Sequence, residues 1–166
     1  MPKRLKSTPF YATIFALICL QVGNTVGAAD VEKPPIEDLK CFIMPKRKVA
    51  GKKVMDYKKG KLYLCCGSCV KRMGRTLEKY EARANHQLVQ TKQYVQTACP
   101  LGGGEISESS PTLMVGWKTG DVKIKFASEE HKNKIAALEP EERIEKVFAA
   151  KTFDKHFEPK KKDEEK

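Results

Sequence analysis

The sequence predicts a small α+β fold of β-hairpin-plus-helix units in tandem. Three observations carry that expectation. Val54-Met55-Asp56-Tyr57 and Lys61-Leu62-Tyr63-Leu64 flank Lys58-Lys59-Gly60, which reads as a β-hairpin. Val70, Met73, Leu77, Tyr80 and Ala84 then recur at three- or four-residue intervals, the stripe of an amphipathic helix. From Cys99 onward the same order of features returns.

Residues 1–28 read as a signal peptide. Lys3, Arg4 and Lys6 precede an uncharged, mostly apolar run from Phe10 to Val22, and Val26-Gly27-Ala28 offers small residues for cleavage. That run is too short for a comfortable membrane span, so membrane attachment would come only through an uncleaved signal. Cys19 lies in the apolar run behind Ile18, where a lipidation signal wants Gly or Ala. Cleavage removes three basic and no acidic residues, so the formal charge falls from +11 to +8. The expected location is periplasmic or secreted.

Residues 29–39, with proline and glutamate but no periodicity, read as a linker. The first unit spans residues 40–97. Its strand alternation places Leu62 and Leu64 on one face against Lys61 and Tyr63. Ser68 or Gly67 can start the helix, and Gly74 and Thr76 interrupt its stripe, leaving two short helices or one long one. In His86–Thr97, Leu88-Val89 and Tyr94-Val95 flank a polar Thr91-Lys92-Gln93 turn. Tyr57, Tyr63 and Trp117 sit where large side chains cover a small core.

The second unit, residues 98–152, repeats the order. Leu113–Trp117 echoes Val54–Tyr57, Lys118-Thr119-Gly120 echoes Lys58-Lys59-Gly60, and Lys123–Phe126 echoes Lys61–Leu64. A helix follows through His131, Ile135 and Leu138, and Glu139-Pro140 places proline at the start of the next. The closing residues 153–166, few of them apolar and their charges mixed, read as a disordered charged tail.

Cysteine placement carries the chemistry. Cys41 is followed after 23 residues by Cys65-Cys66-Gly67-Ser68-Cys69, a Cys-x23-Cys-x3-Cys frame with one extra thiol. Thiolates are strong ligands for zinc and copper(I), and this spacing lets one turn supply two or more of them. The expected ligands are Cys41, Cys65 and Cys69, with Cys66 next and the fourth position open to Cys66, Cys99, His131 or solvent. Adjacent residues in an extended chain point to opposite sides, so Cys65 and Cys66 share one ion only if the strand has already turned. In the second unit Ala127, Ser128 and His131 align with Cys65, Cys66 and Cys69, which leaves Cys99 and His131 as a weak two-ligand pair.

Five cysteines remain after cleavage, an odd number, so complete internal pairing is excluded. Export makes disulfides the competing state of these thiols. The alternative to metal is therefore a disulfide-stabilised structural or protein-interaction module. Cys66-Gly67-Ser68-Cys69 is also a CxxC pair, but a hairpin precedes it rather than the βαβ frame of a thiol-redox fold, and Val70 stands where a haem-attachment motif needs His. No GxSxG, HExxH or P-loop occurs, and no enzymatic activity is expected. Without aromatic-studded basic strands, nucleic acid is not an expected partner.

A Cys-bearing loop, a hairpin ending in an apolar strand, and Cys-x3-Cys opening a helix together resemble the TRASH/YHS-type metal-binding modules. Cys41, Cys65 and Cys69 match their three cysteine positions, and Leu62–Cys69 matches the variant with a Cys-Cys pair. The resemblance covers residues 40–85 well and 98–148 weakly, the second module being degenerate. It implies treble-clef-like, zinc-ribbon-related metal-binding units without identifying the metal; zinc or copper(I) is the cofactor expected from the thiol donors. The expected role is a transition-metal carrier, sensor or scavenger, with another envelope protein as a candidate partner.

Overall fold

A computed structural model of the chain describes residues 36–161, which lie in one unit, Lys33–Lys166. The signal-peptide expectation (1–28), the first part of the linker (29–35) and the last residues of the tail (162–166) lie outside the described residues.

The architecture is small α+β: five helices and three two-stranded antiparallel sheets among the described residues. In the first hairpin, β1 (Val54–Tyr57) pairs with β2 (Gly60–Tyr63) in a register that sets Tyr57 opposite Gly60. The two-residue turn between them holds Lys58 at φ 50°, a left-handed conformation suited to the twist of tight hairpins. Gly60 is required by close approach, since a Cβ there would lie 2.8 Å from Leu88 Cδ2.

Helix α1 (Gly67–Arg75) stops at Thr76, and α2 (Leu77–Gln90) begins directly after it. The stripe therefore resolves into two helices. The second continues through Leu88 and Val89, and only then does the chain turn into β3 (Tyr94–Gln96). A second hairpin joins β4 (Thr112–Trp117) to β5 (Gly120–Lys125), with Gly120 at φ 115° closing the turn. Helix α3 (Glu129–Ala136) follows, then α4 (Pro140–Phe148), which carries Pro140 in its first turn and a Glu139/Glu142 capping box.

The charged tail needs correction. Residues read as disordered from 153 onward complete α5 (Ala150–His156) and form β6 (Phe157–Pro159), which pairs antiparallel with β3. Phe153 and Phe157 are buried and their rings stack at 5.0 Å. Two phenylalanines in a lysine-rich segment give enough buried area to hold it: each is worth roughly 1.5–3 kcal/mol when fully removed from water. The linker also ends inside the fold, because Leu39 is buried and its carbonyl accepts from the Val49 N–H.

One continuous core runs from Phe42, Leu62 and Met73 through Leu88 to Ile124, Phe148 and Phe157, so residues 40–97 and 98–152 share their interior. Helix α2 is its centre and packs on β2, β3, β5, α4 and α5. Three consecutive buried polar residues bolt it there. Asn85 donates to the Phe148 carbonyl and accepts from Tyr57 Oη, and the His86 ring donates to the Val115 carbonyl. Gln87 exchanges two hydrogen bonds with the backbone of Tyr63. Of the three aromatics expected in the core, Tyr57 is buried, whereas Tyr63 and Trp117 are half-buried, Trp117 under the Arg83 guanidinium at 4.1 Å.

Glutamines at every third position from 87 to 96 extend the pattern. Gln87 and Gln93 each pair by amide oxygen and nitrogen with β2, at Tyr63 and Lys61, while Gln96 does the same at Lys125 of β5. Gln90 donates to the Thr119 carbonyl in the second hairpin's turn. In an antiparallel pair alternate residues turn their N–H and C=O away from the partner strand. Here glutamine amides take the place of the missing neighbour.

Candidate metal centre

The cysteine cluster is built by three pieces of chain meeting at the end of the first hairpin. Cys41 opens a loop that folds on itself: its N–H donates to the Arg47 carbonyl, and the Arg47 N–H donates to the Met44 carbonyl, both at 2.9 Å. The flanking bridge between Lys40 and Lys48 fixes the loop's ends. Leu64, wholly buried beside Leu62, anchors the chain just before Cys65. Cys69 lies in the first turn of α1 and is 2 % exposed, with Met73 beneath it one turn later.

The Sγ atoms of Cys41, Cys65 and Cys69 all lie within 4.8 Å of one another, a group that can hold a metal ion. Cys41 is wholly buried and Cys65 is half-buried, so the cluster has a closed base and an accessible rim.

Cys66 joins this rim. Strand β2 ends at Tyr63 and the chain bends at Cys65-Cys66, which brings both side chains to one side. The Cys65–Cys66, Cys65–Cys69 and Cys66–Cys69 Sγ separations are 3.8, 3.6 and 3.4 Å. Thiolates bound tetrahedrally to zinc at about 2.3 Å stand about 3.8 Å apart. The Cys65, Cys66 and Cys69 separations are near that value, whereas the group lying within 4.8 Å comprises Cys41, Cys65 and Cys69 without Cys66, so a soft, tetrahedral ion held by all four would have to draw the Cys41 and Cys66 sulfurs together. All five described cysteines are free thiols.

Protonation differs across the cluster. Burial pushes the Cys65 and Cys69 thiols up, and hydrogen bonds among the neighbouring thiols contribute, Cys41 to Cys65 and Cys66 to Cys69. Cys66 is drawn down to about 6, chiefly by the Ser68 hydroxyl and then by the Cys69 backbone N–H. Residues 57–77 contain six basic and no acidic residues, of which Lys58 and Lys61 are paired with Asp154 and Asp56.

Cys99 and His131, read as candidates for the fourth ligand, are not in this group. They face each other, with Cys99 Sγ 3.4 Å from His131 Nδ1. Sequence reasoning gave His86 no role, yet it is 2 % exposed and its Nε2 has no hydrogen-bond partner. Asn85 and Gln87 were likewise missed. Nothing in a polar Asn-His-Gln run distinguishes side chains that bolt a helix from side chains that face water.

Among the described residues no helix is long and apolar enough to cross a membrane. Compared with protein-family models, curated proteins and solved structures, the chain gives no match in any of the three.

Proposed function

We propose that this chain is an exported transition-metal-binding protein, a carrier, sensor or scavenger, with Cys41, Cys65 and Cys69 as ligands and Cys66 or solvent at the fourth position. The observation that carries the reading is the convergence of the first three thiols within 4.8 Å from chain segments more than twenty residues apart. An all-sulfur donor set selects zinc or copper(I) over magnesium or calcium, which take oxygen ligands. The N-terminal basic, apolar and small-residue pattern supports export. The resemblance to TRASH/YHS-type modules supports metal handling rather than catalysis.

The bound ion would take Cys65 and Cys69 as thiolates, which burial otherwise disfavours, and its uptake would release protons. Cys41 and Cys69 would hold it from below. Cys65 and Cys66, on the accessible side, would be the ligands an acceptor protein meets first.

The test is metal content by mass spectrometry on residues 29–166, directed to an oxidising compartment and purified without added metal, with a parallel thiol count. About one zinc or copper per chain, lost in Cys41→Ser and Cys69→Ser, is the expected result. A metal-free protein with four of its five described thiols oxidised would overturn it and favour a disulfide-held interaction module.

A further inference from the structure

We propose a second, weaker metal position in the other half of the molecule, formed by Cys99 Sγ and His131 Nδ1 and selective for borderline or soft cations. It does not rest on the cysteine cluster, because none of its atoms belongs to that group.

Both side chains are held in place from their own backbones. Cys99 donates its N–H to the Gly104 carbonyl at 2.9 Å and accepts at its own carbonyl from the Gly103 N–H at 3.0 Å, so the thiol sits at the base of a tight glycine loop. Gly102 and Gly103 have φ of 88° and 75°, a left-handed path that residues with a Cβ rarely follow. His131 lies in the first turn of α3, and its N–H donates to Ser128 Oγ at 3.2 Å.

The resulting Sγ–Nδ1 separation of 3.4 Å is close to the roughly 3.5 Å expected for a thiolate at about 2.3 Å and an imidazole at about 2.0–2.1 Å on one tetrahedral ion. The Leu101 carbonyl oxygen lies 3.4 Å from the same sulfur and accepts from its thiol, a polar neighbour that metal binding would release. Cys99 is wholly buried and His131 is half-buried, while the His156 ring and the Ala127 methyl pack against Gly103 and Gly104, so an ion would reach the pair from the His131 side.

Without a metal ion the Cys99 sulfur and His131 Nδ1 lie within hydrogen-bond distance of each other. Binding replaces that contact: the Cys99 S–H bond breaks, a sulfur–metal bond forms, His131 Nδ1 gives its lone pair to the ion, and the proton leaves to solvent. Ala127, aligned in the sequence with Cys65, offers no ligand. Two side-chain ligands against three or four make this the site that exchanges its ion more readily.

Cadmium-113 NMR on the folded chain, titrated with cadmium ion alone, separates the two positions by donor set. The expected spectrum has a downfield resonance from the thiolate cluster. A second, well upfield, comes from one sulfur and one nitrogen and appears together with a shift of the His131 ring 15N signals. His131→Ala should abolish the second equivalent of bound cadmium and leave the first, and His131→Gln should do the same. Cys41→Ser should remove only the downfield resonance. Because Cys99 is buried and Cys99→Ser can fail to fold, the decisive variants are those at His131. A ring nitrogen signal that never moves during the titration overturns the proposal, as does an upfield resonance that survives His131→Ala. An upfield resonance without a downfield one would sink the proposed cluster function and uphold this second site.

Discussion

Acidification should destabilise this protein through His86. The imidazole is 2 % exposed, one nitrogen donates to the Val115 carbonyl on β4, the other has no partner, and the Phe148 ring of α4 meets it edge-on at 5.1 Å. Burial lowers its pKa from 6.5 to about 4, with the Val115 carbonyl opposing only in part. Because the folded pKa lies below the unfolded one, the unfolded chain binds more protons between those values. The stabilisation is whole above pH 6.5 and is lost as the pH falls toward 4. Moving the pKa from 6.5 to about 4 corresponds to roughly 3 kcal/mol, a large share of the 5–15 kcal/mol typical of a domain. Urea unfolding at pH 7 and pH 4.5, on the native chain and on His86→Gln, isolates this term, since carboxylates and metal ligands titrate alike in both. The native chain should lose about 2–3 kcal/mol more than the variant. Equal losses would refute the reasoning, as would an NMR titration showing His86 protonating near 6.5 in the folded protein.

Other outcomes follow from the same structure. Cys41→Ser or Cys69→Ser should lower the melting temperature as well as the metal content, and a strong chelator should reproduce that shift in the native chain but not in the variants. Gln87→Ala strips two hydrogen bonds from Tyr63 at a position 1 % exposed. It should cost about 2–3 kcal/mol in urea denaturation, as expected for unsatisfied groups left behind. Removing residues 153–166 deletes Phe153 and Phe157, each worth about 3–5 kcal/mol against alanine in a core. The truncated chain should show no cooperative unfolding transition by circular dichroism.

The sequence was most readable where structure is local. Lys58-Lys59-Gly60 and Lys118-Thr119-Gly120 announce their hairpins because a tight turn restricts backbone angles within a few residues, and Glu139-Pro140 marks a helix start for the same reason. The thiol cluster was readable because cysteine is rare and its spacing is chemically meaningful. What stayed hidden depends on distance along the chain. Strands β3 and β6 are three residues each and find one another across most of the second half, so neither has a pattern of its own. The tail's composition concealed that Phe153 and Phe157 would stack. Gln87, Gln93 and Gln96 look like surface residues, since only the folded backbone shows which N–H and C=O groups needed them.

Those glutamines bear on how the protein behaves in a crowd. An open strand edge invites pairing with another chain, the first step toward swapped oligomers and fibres. On β2 the outward-facing groups of Lys61 and Tyr63 are already engaged by side-chain amides, and on β5 those of Lys125 are too. Polar side chains thereby give short two-stranded sheets the protection that larger proteins obtain from closed barrels or covering helices.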